Sequence, residues 1–333
     1  MVDRLVTRMI GLAAAALASV MVAASAGAAD FNMRLHTLVK SPHPYNDMAE
    51  FMKAELEAKS GGRIALRLFP GATLGADPAV IGELGLGTID LMISTTNNAE
   101  RQLPEYQIFS LPYLYTGYDA LLASIGPGSK GEAYFQQAYA DRRLGMKLLV
   151  LGGSGNRHMS NKIKPVTALA DIKGMKMRTP PSPMISKTWS ALGTLPVSVA
   201  WAELYAAIQT GVADALESSI PGYMGSKLYE VAPHLALTGH TLQVNHVSIS
   251  ERSWNKLPAD LQALMLETAV AANTVGIDKA VDYEESFVRQ LESEHGVQVT
   301  RPDTGEFQAA LLSVQGELAD ELGLAETLKA VRP

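Results

Sequence analysis

The chain has no cysteine. Disulfides, thiol nucleophiles, cysteine-ligated zinc and iron–sulfur clusters are thereby excluded, as is a lipid anchor on an N-terminal cysteine. Aromatic residues are few, at 6%, and charged residues make up only 19%. No basic run occurs. The 28 Lys and Arg are outnumbered by 34 Asp and Glu, giving a formal net charge of −6. Such a balance disfavours nucleic acid or an anionic membrane surface as partner. Only one stretch is continuously apolar, which argues against several membrane spans. No internal repeat, low-complexity tract or Pro/Ser-rich linker interrupts the chain. No G-x-S-x-G, H-E-x-x-H or paired-carboxylate pattern appears, so an enzyme reading has no positive support. What remains is globular: 333 residues, 47% of them hydrophobic. At roughly 150 residues per domain that is enough for two lobes.

The apolar stretch comes first. Arg4 and Arg8 precede Met9–Ala24 (MIGLAAAALASVMVAA), and Ala26 and Ala28 then stand at the A-x-A positions of a cleavage site. Residues 1–29 read as a cleaved secretory signal peptide, because the run is shorter than a ~20-residue membrane span and its far flank is small and uncharged. Cleavage leaves a net charge of −7, since Asp3, Arg4 and Arg8 depart. An exported chain without cysteine points to the Gram-negative periplasm.

The mature chain alternates strand-like and helix-like patterns. Asn32–Val39 and Arg63–Phe69 alternate at period two, whereas Pro44–Ser60 places apolar residues at helical spacing until Gly61-Gly62 stops it. A helix begun at Pro78 and a short buried strand at Leu91–Ser94 complete a βαβαβ start, predicting a parallel sheet covered by helices. Lys147–Leu151 reads as a strand ending in a turn at Gly152–Gly155, placed at a lobe crossing. Further strands are expected at Met175–Arg178, Leu195–Val199, Ala215–Glu217, Thr241–Ser250 and Val297–Thr300. Helices are expected at Pro183–Leu192, Glu203–Thr210 and from about Gly305. Pro258 to Glu294 has no internal proline and reads as one unusually long helix. Two lobes without a tether imply a chain that crosses between them several times.

Two arginines carry the candidate chemistry. Arg178 ends a strand and is followed by Thr179-Pro180-Pro181, so its side chain is directed beyond the sheet's carboxyl edge. The planar guanidinium fork matches a carboxylate bidentately. Arg157 follows the Gly152–Gly155 segment at an equivalent edge, where the bland alternative is a surface residue or a structural ion pair. His234, His240 and His246 recur every six residues, but their Pro and Gly neighbours and the absence of an in-phase carboxylate weigh against a metal site. No metal and no cofactor is expected. His36, His43 and His158 lie near strand ends, where a polar pocket role fits.

The segments DIKGMKMRTPPSP (Asp171–Pro183) and GTLPVSVAWAELYAAIQTGVADALES (Gly193–Ser218) resemble the solute-binding proteins of tripartite ATP-independent periplasmic (TRAP) transporters, in the DctP family. LFPGATLGAD (Leu68–Asp77), LGTIDLM (Leu86–Met92), LPEYQIFSLPYLY (Leu103–Tyr115) and LTGH (Leu237–His240) agree in order. The resemblance implies an α/β, two-lobed periplasmic binding protein, a clamshell with several crossovers and a long helix spanning both lobes. The lobes would be residues 30–154 with about 244–283, and 155–243 with about 284–333. The resemblance further implies capture of an organic acid between the lobes. Delivery would be to small and large membrane permease subunits, for uptake driven by an ion gradient, with no nucleic-acid partner and no enzymatic activity. By the same resemblance the carboxylate-binding arginine falls on Arg178, a second ligand-near arginine on Arg157 and an aromatic wall on Trp201. The motif's acid is Glu217, and the next position, often Asn in members that bind sialic acid or C4-dicarboxylates, is Ser218 here. First-lobe pocket positions fall near His43, Thr95 and Asn97. The alternatives are a ligand-binding module feeding a sensor kinase, and a periplasmic enzyme acting on the bound acid. A receptor for an ATP-driven importer is the nearest rival within the transport reading.

Overall fold

A computed structural model describes residues 29–332. All but the last residue of the expected signal peptide therefore lie outside the described residues. Nine strands form one sheet in the order β2-β1-β3-β8-β4-β7-β5-β6, with β9 added to β8. They are β1 (Phe31–Thr37), β2 (Ile64–Phe69), β3 (Leu91–Thr95), β4 (Met146–Asn161), β5 (Lys176–Thr179), β6 (Leu195–Ser198), β7 (Ala215–Ser219), β8 (His234–Ser250) and β9 (Gln298–Thr300). The β1–β2 and β1–β3 pairs are parallel, as are β5–β6 and β5–β7. The long central strands β4 and β8 run antiparallel to each other.

Those two strands join the lobes. Residues 245–249 of β8 pair with β3, whereas residues 234–236 of the same strand pair with β9. Likewise β4 meets β7 only through residues 157–161. The helix Ala259–Glu294, with 36 residues, is the third crossing segment. At 1.5 Å per residue it is about 54 Å long. Leu261, Met265, Ala269 and Ala272 pack into the first lobe with Met33, Leu35, Met48 and Met52, while Phe287, Val288 and Leu291 pack into the second with Leu204, Ile208 and Tyr223. The opposite sheet faces carry their own cores, around Tyr106, Phe109 and Phe135 in one lobe and Met177, Trp189 and Phe307 in the other. Each lobe is thus a sheet with helices on both faces. Among the described residues no helix is long and apolar enough to cross a membrane.

Local sequence explains the element ends. The helix Pro44–Lys59 starts with Pro44 in its first turn, and the His43 side chain caps it by accepting the Tyr45 amide. It stops where Gly61 and Gly62 adopt positive φ. Met48, Met52 and Leu56 recur every four residues and are fully buried.

Three expectations are corrected. Gly152–Gly155 is not a turn but lies within β4. A Cβ on Gly152 would come within 1.5 Å of the Asn273 Oδ1 of the long helix, so this glycine permits close approach of helix to strand. Gly155 has φ +109°, at the register shift between Gly153 and Asn156. Second, β8 begins at His234 and not at Thr241. The ladder to β4 skips from Thr241 to Ala236, and the backbone groups in between are taken by Tyr113 N on His240 O and Gly239 N on His158 Nδ1. Third, the chain after Gly305 forms three helices, Thr304–Leu312, Gln315–Glu321 and Ala325–Val331. Leu318, Leu324, Leu328 and Val331 enter the core of Tyr106 and Phe135. The last two helices thus pack on the core of Tyr106 and Phe135.

Candidate functional site

Strand geometry sets a row of polar side chains across the crossing point. Residues two apart share a face of a strand. Arg157 of β4 pairs in register with Ser219 of β7 and Thr241 of β8. One step along on each neighbour, Glu217 and Gln243 therefore flank the Arg157 guanidinium. Arg157 Nε and Nη2 donate to the two Glu217 carboxylate oxygens, and Nη1 donates to Gln243 Oε1. Gln243 Nε2 in turn donates to the Tyr45 hydroxyl of the first lobe at 2.7 Å. His240 Nε2 lies 3.6 Å from Glu217 Oε2, and its Nδ1 meets Thr238 Oγ1 at 2.9 Å.

Arg178 is held differently. It stands at the carboxyl end of β5 with 1% of its surface exposed. Its Nε donates to Val199 O at 2.8 Å, and its Cζ lies 5.7 Å from the centre of the Trp201 ring. Among the described residues, Nη1 and Nη2 of Arg178 have no protein partner. Arg178 lines a space of about 460 Å³ between the lobes, part of it open to solvent.

His43, Thr95, Asn97, Arg157, Arg178, Trp201 and Ser218 all line this cavity. Glu217 lines an adjoining space of about 360 Å³, which shares Thr95, Asn97, Arg157 and Gln243 with the first. The structure thus brings the eight singled-out residues to one place, though with different commitments. Arg157, Glu217 and Gln243 satisfy one another. Ser218 Oγ donates to Ser219 O at 3.1 Å, and Thr95 Oγ1 to Asn97 Oδ1.

Burial sets the charges. It lowers the Arg178 guanidinium to about 10, with Glu217 pulling upward and Arg157 downward, which leaves it cationic at neutral pH. Burial, reinforced by Arg157, pushes His43 down to about 3, so its ring is neutral. Since His43 Nδ1 accepts the Tyr45 amide, the neutral ring carries its proton on Nε2. Burial alone would raise Glu217, but Arg157 and His240 outweigh it and hold the carboxylate below the ordinary range. Burial also lowers His240, partly offset by Glu217.

Among the polar lining residues, Tyr45, Asp77, Asn98, Ser219 and Gln243 escaped the sequence reading. A signal for Gln243 exists in β8. In one phase of the strand Thr241, Gln243 and Asn245 are polar while Val247 and Ile249 are apolar, which marks where the strand leaves the cleft for the core. Asp77 gathers His36 Nε2 at 3.0 Å, Asn98 Nδ2 at 2.7 Å and the Ser94 hydroxyl. His158 binds Glu284 of the long helix, and His246 stacks on Tyr106. The six-residue histidine spacing thus brings no metal cluster together, and among the described residues no group of three or more His, Asp or Glu side chains has metal-holding geometry.

The chain as a whole is similar to known proteins. The profile of the DctP family, bacterial extracellular solute-binding protein family 7, matches residues 35–321. A solute-binding protein of Roseobacter denitrificans is 28% identical over 99% of this chain and 97% of its own length. A TRAP periplasmic solute-binding protein of a Polaromonas species, solved bound to D-erythronate, superposes with a TM-score of 0.84 at 27% identity, covering 91% of this chain and 98% of that one. Another from a Sulfitobacter species, with bound α-D-taluronate, gives 0.83 at 27% identity, covering 91% and 97%.

Proposed function

The chain belongs to the DctP family of bacterial extracellular solute-binding proteins, and on that premise we propose that it captures an organic acid between its lobes and hands it to a TRAP-type membrane permease. The permease partner comprises a small and a large membrane subunit, and uptake draws on an ion gradient. The place of action is the periplasm, reached through cleavage of residues 1–29. Hydroxylated acids are the solutes to test first, because the Polaromonas and Sulfitobacter relatives were solved with D-erythronate and α-D-taluronate.

The observation that carries this reading is the Arg178 fork: buried, cationic, anchored through Nε, and lining the inter-lobe cavity. A carboxylate placed there forms two parallel charge-assisted hydrogen bonds. Trp201 and Ser218 form the neighbouring wall, and His43, Thr95 and Asn97 supply contacts from the first lobe. Arg157 acts from behind, as the cation whose charge Glu217 neutralises. A ligand that touches both walls favours the shut state by its differential affinity for shut and open forms. The lobes divide near residues 154 and 244 and along the long helix near 283, with the last residues returning to lobe I.

Calorimetry tests the site. Arg178→Ala should weaken the cognate acid by 2–5 kcal/mol, about thirty- to several-thousand-fold. An affinity within about twofold of wild type would reject the clamp.

A further inference from the structure

The cavity contains two guanidiniums but offers a ligand only one. The Arg157 fork is closed on Glu217, and its remaining nitrogen is closed on Gln243. Among the described residues, the first-lobe lining of the cavity holds no Lys or Arg. It combines the His43 ring, the Tyr45 and Thr95 hydroxyls, the Asn97 and Asn98 amides and the Asp77 carboxyl with the apolar Leu38 and Val39. Burial keeps the His43 ring neutral. Asp77 is itself acidic, and its oxygens already accept from His36, Ser94 and Asn98. Hydroxyl and amide groups of this kind suit alcohols, which both donate and accept. A carboxylate set against this wall meets an acid instead of a guanidinium, in a partly desolvated space where an unpaired anion is costly.

Resting on the acid-binding reading above, we infer that the site selects acids with one carboxylate and a hydroxylated tail, and rejects the dicarboxylate of the same skeleton. The single carboxylate docks on Arg178 of the second lobe, and the alcohols reach the first-lobe wall. Selection then arises from the repulsive element as much as from the attractive one. The Ser218 hydroxyl, turned onto its neighbour's carbonyl, adds no charge on the Arg178 side.

Matched pairs test this without any substitution. D-erythronate differs from meso-tartrate, and D-galactonate from galactarate, only in a terminal CH₂OH replaced by a carboxylate. Each is titrated calorimetrically into the mature protein at neutral pH, with erythritol and galactitol as uncharged controls, and the panel is extended to the other aldonates, uronates and dicarboxylates of four to six carbons. The expected result is that the acids that bind are monocarboxylates, each at least about tenfold tighter than its dicarboxylate partner. A dicarboxylate that binds as tightly as its partner overturns the inference and leaves the acid-binding reading standing. Uncharged controls that bind as well as the acids, or silence across the whole acid panel, overturn that reading and the inference with it. A second arm places a cation on the first-lobe wall. Asn98→Lys should move the mono-to-dicarboxylate ratio toward the dicarboxylate by at least about threefold. An unchanged ratio rejects the charge count as the cause.

Discussion

Two buried carboxyl groups show how one residue type takes opposite charge states in this cleft. Glu217 has a guanidinium across its face and stays ionised. Glu100 has none. Its Oε1 accepts from Ser110 Oγ at 2.9 Å and from Ser182 Oγ, across the lobes, at 3.0 Å, while Oε2 is buried without a partner. Burial therefore raises Glu100 to about 8, with the two serines opposing it. Because the folded value exceeds the ordinary one, Glu100 favours the folded state fully below about pH 4.5, and this contribution fades as pH climbs to about 8. Denaturant unfolding at pH 5 and pH 8.5 should show wild type losing on the order of 2–4 kcal/mol more than Glu100→Gln. Glu217→Gln strands Arg157 without its counter-charge and should cost about 3–5 kcal/mol at any pH near neutrality, read from the unfolding midpoint. Of these residues the sequence made Arg178 legible, because a strand-final arginine before Thr-Pro-Pro has few places to go. It could not show that Arg157 is closed on Glu217, since that depends on the β4–β7 register between residues 60 positions apart.

At the scale of elements, alternation and breakers marked the early strands and helices well. The long helix was legible because nothing in Pro258–Glu294 can end it. The failure at Gly152–Gly155 is instructive, since glycine serves close packing as readily as turning. Gly152→Ala should therefore act as overpacking against Asn273, lowering stability by about 1–3 kcal/mol in thermal unfolding. The end of the chain was illegible for another reason. Short amphipathic helices such as Ala325–Val331 do not state which lobe they cover; tertiary contacts fix it, such as Val331 O accepting from the Tyr115 and Ser124 hydroxyls.

For the whole molecule, the lobes also approach each other where the helix Ile220–Gly225 meets Lys40 and Pro42. A Cβ on Gly225, which ends the helix Ile220–Gly225, would lie 3.2 Å from Lys40 O and 3.4 Å from Pro42 O. A bulky side chain there should prop the lobes apart without touching the acid. Gly225→Leu is expected to weaken binding by about tenfold or more, and small-angle scattering should show less compaction on adding ligand than in wild type. Net charge plays against capture at a distance, so affinity must arise inside the cleft, where the dielectric is low.

The interleaving of the lobes along the chain also bears on when the protein becomes a folded object. Between β3 and β4 the sheet has a vacant lane until residues 245–249 arrive to fill it, after strands β5 to β7 of the second lobe. A nascent chain cut at residue 161 would lack the pairing of β3 with β8 and of β4 with both β7 and β8. It should give no cooperative melting transition. A polypeptide that cannot finish either half until most of its length exists stays threadable during synthesis, which is the state a translocation channel requires.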